Sequence, residues 1–279
     1  MNNQVIACLD DSDYAQAVAD AASWTSKTLG APLTLLHVME ASENAEQQVT
    51  ASQADSMRTR LTALDQQRVA LNKERGELLL DFAAEEARKS GMADDARRKL
   101  VRGNLMETLT GLQDSLRVLV VGKRGKSASE DNLGSHLEQM IRTNPRPTLI
   151  VGRKFTAPTK ALLAFDGSDT MVRAVNTIAG SPMFHHLECH VVLVGAETDE
   201  HREQLNWAET TLEHADVSVK THLAAATFVD ATLTDYANDN DIDLMVMGAY
   251  GHSRLRQMLV GSTTSALLKH TRMTLLVLR

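Results

Sequence analysis

Apolar residues in this chain come in short continuous runs rather than in strict alternation, and the runs recur twice in the same order. Val5-Ile6-Ala7-Cys8-Leu9, Leu33-Thr34-Leu35-Leu36-His37-Val38, Val118-Leu119-Val120-Val121 and Leu149-Ile150-Val151 read as strands buried on both faces of a parallel sheet. The second half answers with Ala161-Leu162-Leu163-Ala164-Phe165, His190-Val191-Val192-Leu193-Val194, Leu244-Met245-Val246-Met247 and Leu275-Leu276-Val277-Leu278. Third strands are expected over Arg98–Arg102 and Val217–His222, each leading into a helix, around Met106–Gln113 and Phe228–Asn238.

Strands that alternate with helices imply right-handed crossovers and a doubly wound parallel sheet. The first strand of each half ends in a related signature, Asp10-Asp11-Ser12-Asp13 and Asp166-Gly167-Ser168-Asp169, whose Ser and Asp suit helix N-caps. The fourth strands end in Gly122 and Gly248. The expected fold class is therefore α/β: two tandem five-stranded, doubly wound, Rossmann-like domains, over 1–153 and 158–279. Arg153-Lys154-Phe155-Thr156-Ala157-Pro158 is the linker, short enough to hold the halves side by side.

The halves are unequal. The first carries extra chain near 41–75; there Met57, Leu61, Leu64, Leu71, Leu78 and Phe82 keep a 4-3 spacing, with Arg68 and Arg75 in the missing apolar places. That pattern fits a long amphipathic helix packed on its own domain; the alternative is a protruding helix that joins two chains.

Composition narrows the function classes. The 279 residues are 43% hydrophobic and 23% charged, enough to bury two cores. A net charge of -7 argues against a general nucleic-acid binder, which needs clustered Lys and Arg. Apolar runs far below the roughly 20 residues of a bilayer helix predict no membrane span. Met1-Asn2-Asn3-Gln4 lacks a basic leader, so a cytoplasmic location is expected. Cys8 and Cys189 each fall in a strand, as small core residues rather than as a disulfide.

Candidate chemistry lies after the fourth strands. From Gly248 the chain runs Ala249-Tyr250-Gly251-His252-Ser253-Arg254-Leu255-Arg256-Gln257-Met258-Leu259-Val260-Gly261-Ser262-Thr263-Thr264. A glycine after a buried strand lets the backbone turn and approach a ligand, and Gly261-Ser262-Thr263-Thr264 opens a helix whose free N–H groups suit a phosphate. On this spacing, and on the repeated order of elements around it, the chain resembles the universal stress protein family in its tandem two-domain form. The spacing is that family's G-x2-G-x9-G-[S/T] nucleotide loop.

The resemblance implies an adenine nucleotide alpha hydrolase-like domain that binds ATP, or a related adenine nucleotide, with Mg²⁺ on its phosphates. Asp166 would face the nucleotide, Met247, Gly248 and Gly251 would border ribose and phosphates, and Gly261, Ser262, Thr263 and Thr264 would cradle the phosphates. Arg254 is added from its charge alone. Where the family often has a valine beside the adenine, as at Val38, the second half has Gly195. The family's fifth strands commonly pair domains across a two-fold, so Leu149–Val151 and Leu275–Leu278 are candidates to pair within this chain, leaving the long helix to build a homodimer.

The first-half loop, Gly122-Lys123-Arg124-Gly125, then Gly134-Ser135-His136, has eight residues between Gly125 and Gly134 instead of nine, with Glu130 and Asp131 among them. It is expected to bind nucleotide weakly or not at all. Gly125-Lys126-Ser127 lacks the earlier glycine of a Walker loop, since Val120 stands there. Asp10, Asp11 and Asp13 suit loop polarity and capping better than acid–base catalysis, and His185-His186-Leu187-Glu188-Cys189-His190 cannot all converge on a metal from one strand entry. No catalytic residue is identified. The expected function is an ATP-binding stress-response regulator or adaptor with a protein partner that the sequence does not identify; the alternatives are a nucleotide-independent scaffold and, with less support, a slow ATPase.

Overall fold

A computed structural model describes residues 3–40, 55–91, 96–125, 135–249, 262–271 and 273–279. The first half contains β1 (Gln4–Cys8), α1 (Ala15–Leu29), β2 (Leu33–Met39), α2 (Asp55–Lys89), β3 (Arg97–Arg102), α3 (Leu105–Leu112), β4 (Leu116–Gly122), α4 (Ser135–Thr143) and β5 (Thr148–Val151). The second contains β6 (Lys160–Phe165), α5 (Asp169–Ala179), β7 (Glu188–Val194), α6 (Asp199–Glu213), β8 (Ser218–Ala224), α7 (Val229–Asp239), β9 (Leu244–Gly248), α8 (Ser262–His270) and β10 (Thr274–Leu278). Every strand expected from the apolar runs forms, within a few residues of its expected place.

All ten strands join one sheet, in the order β3-β2-β1-β4-β5-β10-β9-β6-β7-β8. Each half is parallel throughout, with first and fourth strands adjacent: Val5 lies opposite Val118 and Leu163 opposite Val246. The fifth strands meet antiparallel, Ile150 opposite Leu275 and Leu149 opposite Leu276. The two halves therefore run in opposite directions, and the carboxyl ends of their strands emerge at opposite edges of the sheet.

Period-two side-chain alternation divides the core into two layers. Val5, Ala7, Leu35, Val120, Leu149, Leu163, Val191 and Leu276 face α1, α2, α5 and α6. Ile6, Leu36, Leu119, Ile150, Leu162, Val192, Met245 and Leu275 face α3, α4, α7 and α8. Cys8 and Cys189 are free thiols, and burial pushes each up to about 12, so both stay protonated.

The long helix corrects the sequence expectation on two counts. It runs through residue 89 rather than lying near 41–75, and residues 41–54 fall outside the described ones. Its packing face is also not the 4-3 stripe: Leu80, Ala83 and Ala87 are buried in the core beside α1. Gln16 Nε2 donates to Glu86 Oε2 at 3.0 Å and Ser90 Oγ to Asp20 Oδ1 at 3.0 Å, fastening the helix end to α1. Met57, Leu64, Leu71, Leu78 and Phe82 remain 45–62% exposed.

Candidate functional site

Strand order reverses at two places, between β1 and β4 and between β6 and β9, and a doubly wound sheet offers its ligand crevice at the carboxyl ends of such strands. In the second half this edge gathers Asp166, directly after β6, and Gly248, the last residue of β9. The right-handed crossover brings the first turn of α8, Ser262-Thr263-Thr264, to the same edge. Gly251, Arg254 and Gly261 lie outside the described residues, and only the backbone of Ser262, Thr263 and Thr264 enters the description. Met247 is 3% exposed within the layer under α7 and α8, which leaves its backbone rather than its side chain for a ligand.

The loop after β6 is built by short polar bonds. Asp166 is exposed, and its Oδ1 accepts from Ser168 N at 3.0 Å. Ser168 caps α5, its Oγ accepting from Met171 N at 3.3 Å, as expected from the sequence. Between them Gly167 has φ +69°, and a Cβ there would stand 2.5 Å from the Gln204 side chain. A side chain at this φ would be strained and would displace the end of Gln204, which favours glycine.

Gln204 and His201 belong to the first turns of α6, which Thr198 caps through His201 N at 3.2 Å. His201 also covers the place of the missing valine: a Cβ on Gly195 would meet its Cε1 at 3.0 Å. Its Nδ1 lies 2.6 Å from the Ala196 carbonyl oxygen, which fixes the ring over the end of β7. The sequence reading missed both residues. The available signal was their i, i+3 spacing just inside a helix cap, which places them on one helix face at the crevice rim. Trp207, one turn further on, stacks on Phe165, the residue before Asp166, with centroids 6.5 Å apart.

The first-half crevice is different. The cap expected from Ser12 and Asp13 is absent: α1 has Tyr14 at its N-cap with no side-chain bond, because Ser12 Oγ instead donates to Asp10 Oδ1 and accepts from Tyr14 N at 3.3 Å. Tyr14 is buried against the end of β4, where a Cβ on Gly122 would meet its Cβ at 2.9 Å. A Cβ on Gly125 would meet Asp10 Oδ2, also at 2.9 Å. Arg75 of α2 closes on Asp11. Among the described residues, protein groups thus crowd Gly122 and Gly125 after β4 more closely than Gly248 at the end of β9, where the nearest atom to a Cβ is Met171 Sδ at 3.3 Å.

Lys123, next after β4, turns away from this crevice and donates to the Thr271 carbonyl beyond α8 in the other half. Burial, aided by the nearby Arg124 guanidinium, lowers its ammonium from 10.5 to about 8. Between pH 8 and 10.5 the unfolded chain binds more protons at this position, so folding stability rises with pH across that window. Lys123→Met is expected to remove this rise, on the order of 1–3 kcal/mol after allowance for residual solvent, in denaturant titrations at pH 7.5 and 10.

The histidine-rich segment before β7 also forms a structural network. His190 is buried, with Nδ1 2.9 Å from the Tyr236 hydroxyl and Nε2 2.7 Å from Glu188 Oε1. His190, with Lys220, holds the Glu188 carboxyl down at about 2. His185 and His186 lie in the turn before the strand. Among the described residues no group of three or more His, Cys, Asp or Glu side chains is arranged to hold a metal, and no helix is long and apolar enough to cross a membrane.

Comparison with known proteins is consistent with this architecture. The model of the universal stress protein family matches residues 1–152 and 193–279. A universal stress protein of Synechocystis sp. is 30% identical over 286 residues, covering 99% of this chain and 99% of that protein. Among solved structures, a universal stress protein from Archaeoglobus fulgidus superposes with a TM-score of 0.72 over 100% of this chain and 99% of its own, at 17% identity. A protein from Pseudomonas aeruginosa superposes with a TM-score of 0.55 over 99% of this chain and 92% of its own, at 16% identity.

Proposed function

We propose, from the premise that this chain belongs to the universal stress protein family, that its C-terminal half binds ATP and that the bound state regulates a protein partner. The observation that carries this reading is the meeting of Asp166, Gly248 and the first turn of α8 at the switch point between β6 and β9. The donor set suits the ligand. Amides of Ser262, Thr263 and Thr264, at the positive end of α8, would take the phosphates, and the exposed Asp166 carboxylate would accept from a ribose hydroxyl. His201 and Gln204 would flank the base and sugar in place of the valine absent at Gly195. ATP brings the negative charge that these amides attract, with Mg²⁺ carried on its phosphates.

The first half would not share this role. Tyr14 and Asp10 occupy its crevice, Arg75 is already engaged by Asp11, and Lys123 is committed to Thr271. One nucleotide per chain is therefore expected. Calorimetric titration of nucleotide-stripped protein with Mg²⁺·ATP checks this: a stoichiometry near one supports the reading. No heat and no shift in melting temperature would instead favour a scaffold that works without nucleotide. The proposal is for binding and signalling; phosphate release from ATP by the full chain would extend it to turnover.

A further inference from the structure

The long helix α2 has two apolar faces, and its own domain uses one of them. Leu80, Ala83 and Ala87 are buried beside α1, while Met57, Leu64, Leu71 and Leu78, each seven residues from the last, are 49–62% exposed. With Leu61 and Phe82 they complete a 4-3 series over residues 57–82, about 38 Å of helix and more than three heptads. Residues 41–54, which precede α2 in sequence, offer Val49 as their single large apolar side chain.

We infer that this stripe pairs with the same stripe of a second copy, in an antiparallel coiled coil centred between Val69 and Ala70. The register follows from the sequence. Turning the series end for end about that point sets Met57 against Phe82, Leu61 against Leu78, Leu64 against Arg75 and Arg68 against Leu71, so every layer finds a partner. A parallel pair would instead stack Arg68 on Arg68 and Arg75 on Arg75, like charges inside the seam. The antiparallel arrangement gives each arginine an aliphatic neighbour along which its stem can lie while its guanidinium stays on a carboxylate of its own chain, Arg68 on Asp65 and Arg75 on Asp11.

Flanking positions agree with this register. Arg60, exposed, would come beside Asp81 of the second copy, and Gln67 beside Glu74. Asp81 already carries Arg98 of its own chain, an exposed pair that leaves its carboxylate accessible. A two-fold contact of this kind closes on itself and yields a dimer rather than a filament.

The test uses the full chain. Sedimentation equilibrium is expected to give a dimer that Leu64→Glu/Leu71→Glu converts to monomer with unchanged far-UV circular dichroism, since both side chains are more than half exposed. Gln67→Cys/Glu74→Cys is expected to form a covalent dimer under mild oxidation, while either single variant does not. Within one helix these two positions are about 10 Å apart, too far for an intrachain disulfide. A monomer at 100 µM or so, a dimer that survives Leu64→Glu/Leu71→Glu, or cross-linking by the single variants would overturn the inference.

Discussion

Gly261→Asp is expected to weaken ATP binding at least a hundredfold while leaving the melting temperature unchanged or slightly higher. Gly261 immediately precedes Ser262, the first residue of α8. Aspartate at that place is a good cap, so its carboxylate would take the same helix amides proposed for the phosphates and would satisfy the helix end rather than disturb it. It would also bring a negative charge against the triphosphate. A hundredfold loss is about 2.7 kcal/mol, modest beside the several kcal/mol of like-charge juxtaposition. The same calorimetric titration reads the result, with thermal unfolding as its control for folding. Wild-type affinity in this variant would remove α8 from the site.

Ile150→Asp is expected to lower stability by about 3–5 kcal/mol, or a melting temperature fall of roughly 10 °C. Ile150 is 1% exposed, lies opposite Leu275 where the two halves join, and belongs to the layer under α4 and α8. A carboxylate there would be buried among Leu137, Met140, Leu267 and Leu268 from both halves. It would protonate or open the joint. Circular dichroism against temperature measures the effect, and unchanged melting would mean that β5 and β10 do not pair in solution.

Much of this architecture was legible in the sequence because it rests on short-range signals. Buried parallel strands are continuous apolar runs, and Val118–Val121 or Leu244–Met247 admits few other readings. The Asp166-Gly167-Ser168 turn was legible for the same reason, being completed within three residues. The capping of α1 was not, because Asp10 draws Ser12 into a bond of its own and Tyr14 takes the cap position. Lys123 and His201 escaped notice since their partners, Thr271 and Gly195, depend on how distant elements are stacked. With α2 the periodic signal was correct but pointed to the wrong neighbour: the stronger stripe faces outward, and a weaker series of alanines with Leu80 holds the domain. Small residues allow close helix packing while adding little to an apolar periodicity.

The antiparallel joint between β5 and β10 also determines where the sheet stops. A strand edge with open N–H and C=O groups is a template for further strands, and each half alone would present one at its fifth strand. Here those two edges are spent on each other, and the outer strands are β3 and β8. β3 reads Arg-Arg-Lys-Leu-Val-Arg, and β8 carries the exposed Lys220 and His222. Charge at both rims makes a third sheet an unfavourable guest. The molecule is thus self-terminating along its hydrogen-bonding direction, protected against runaway strand addition by the duplication that doubled its length.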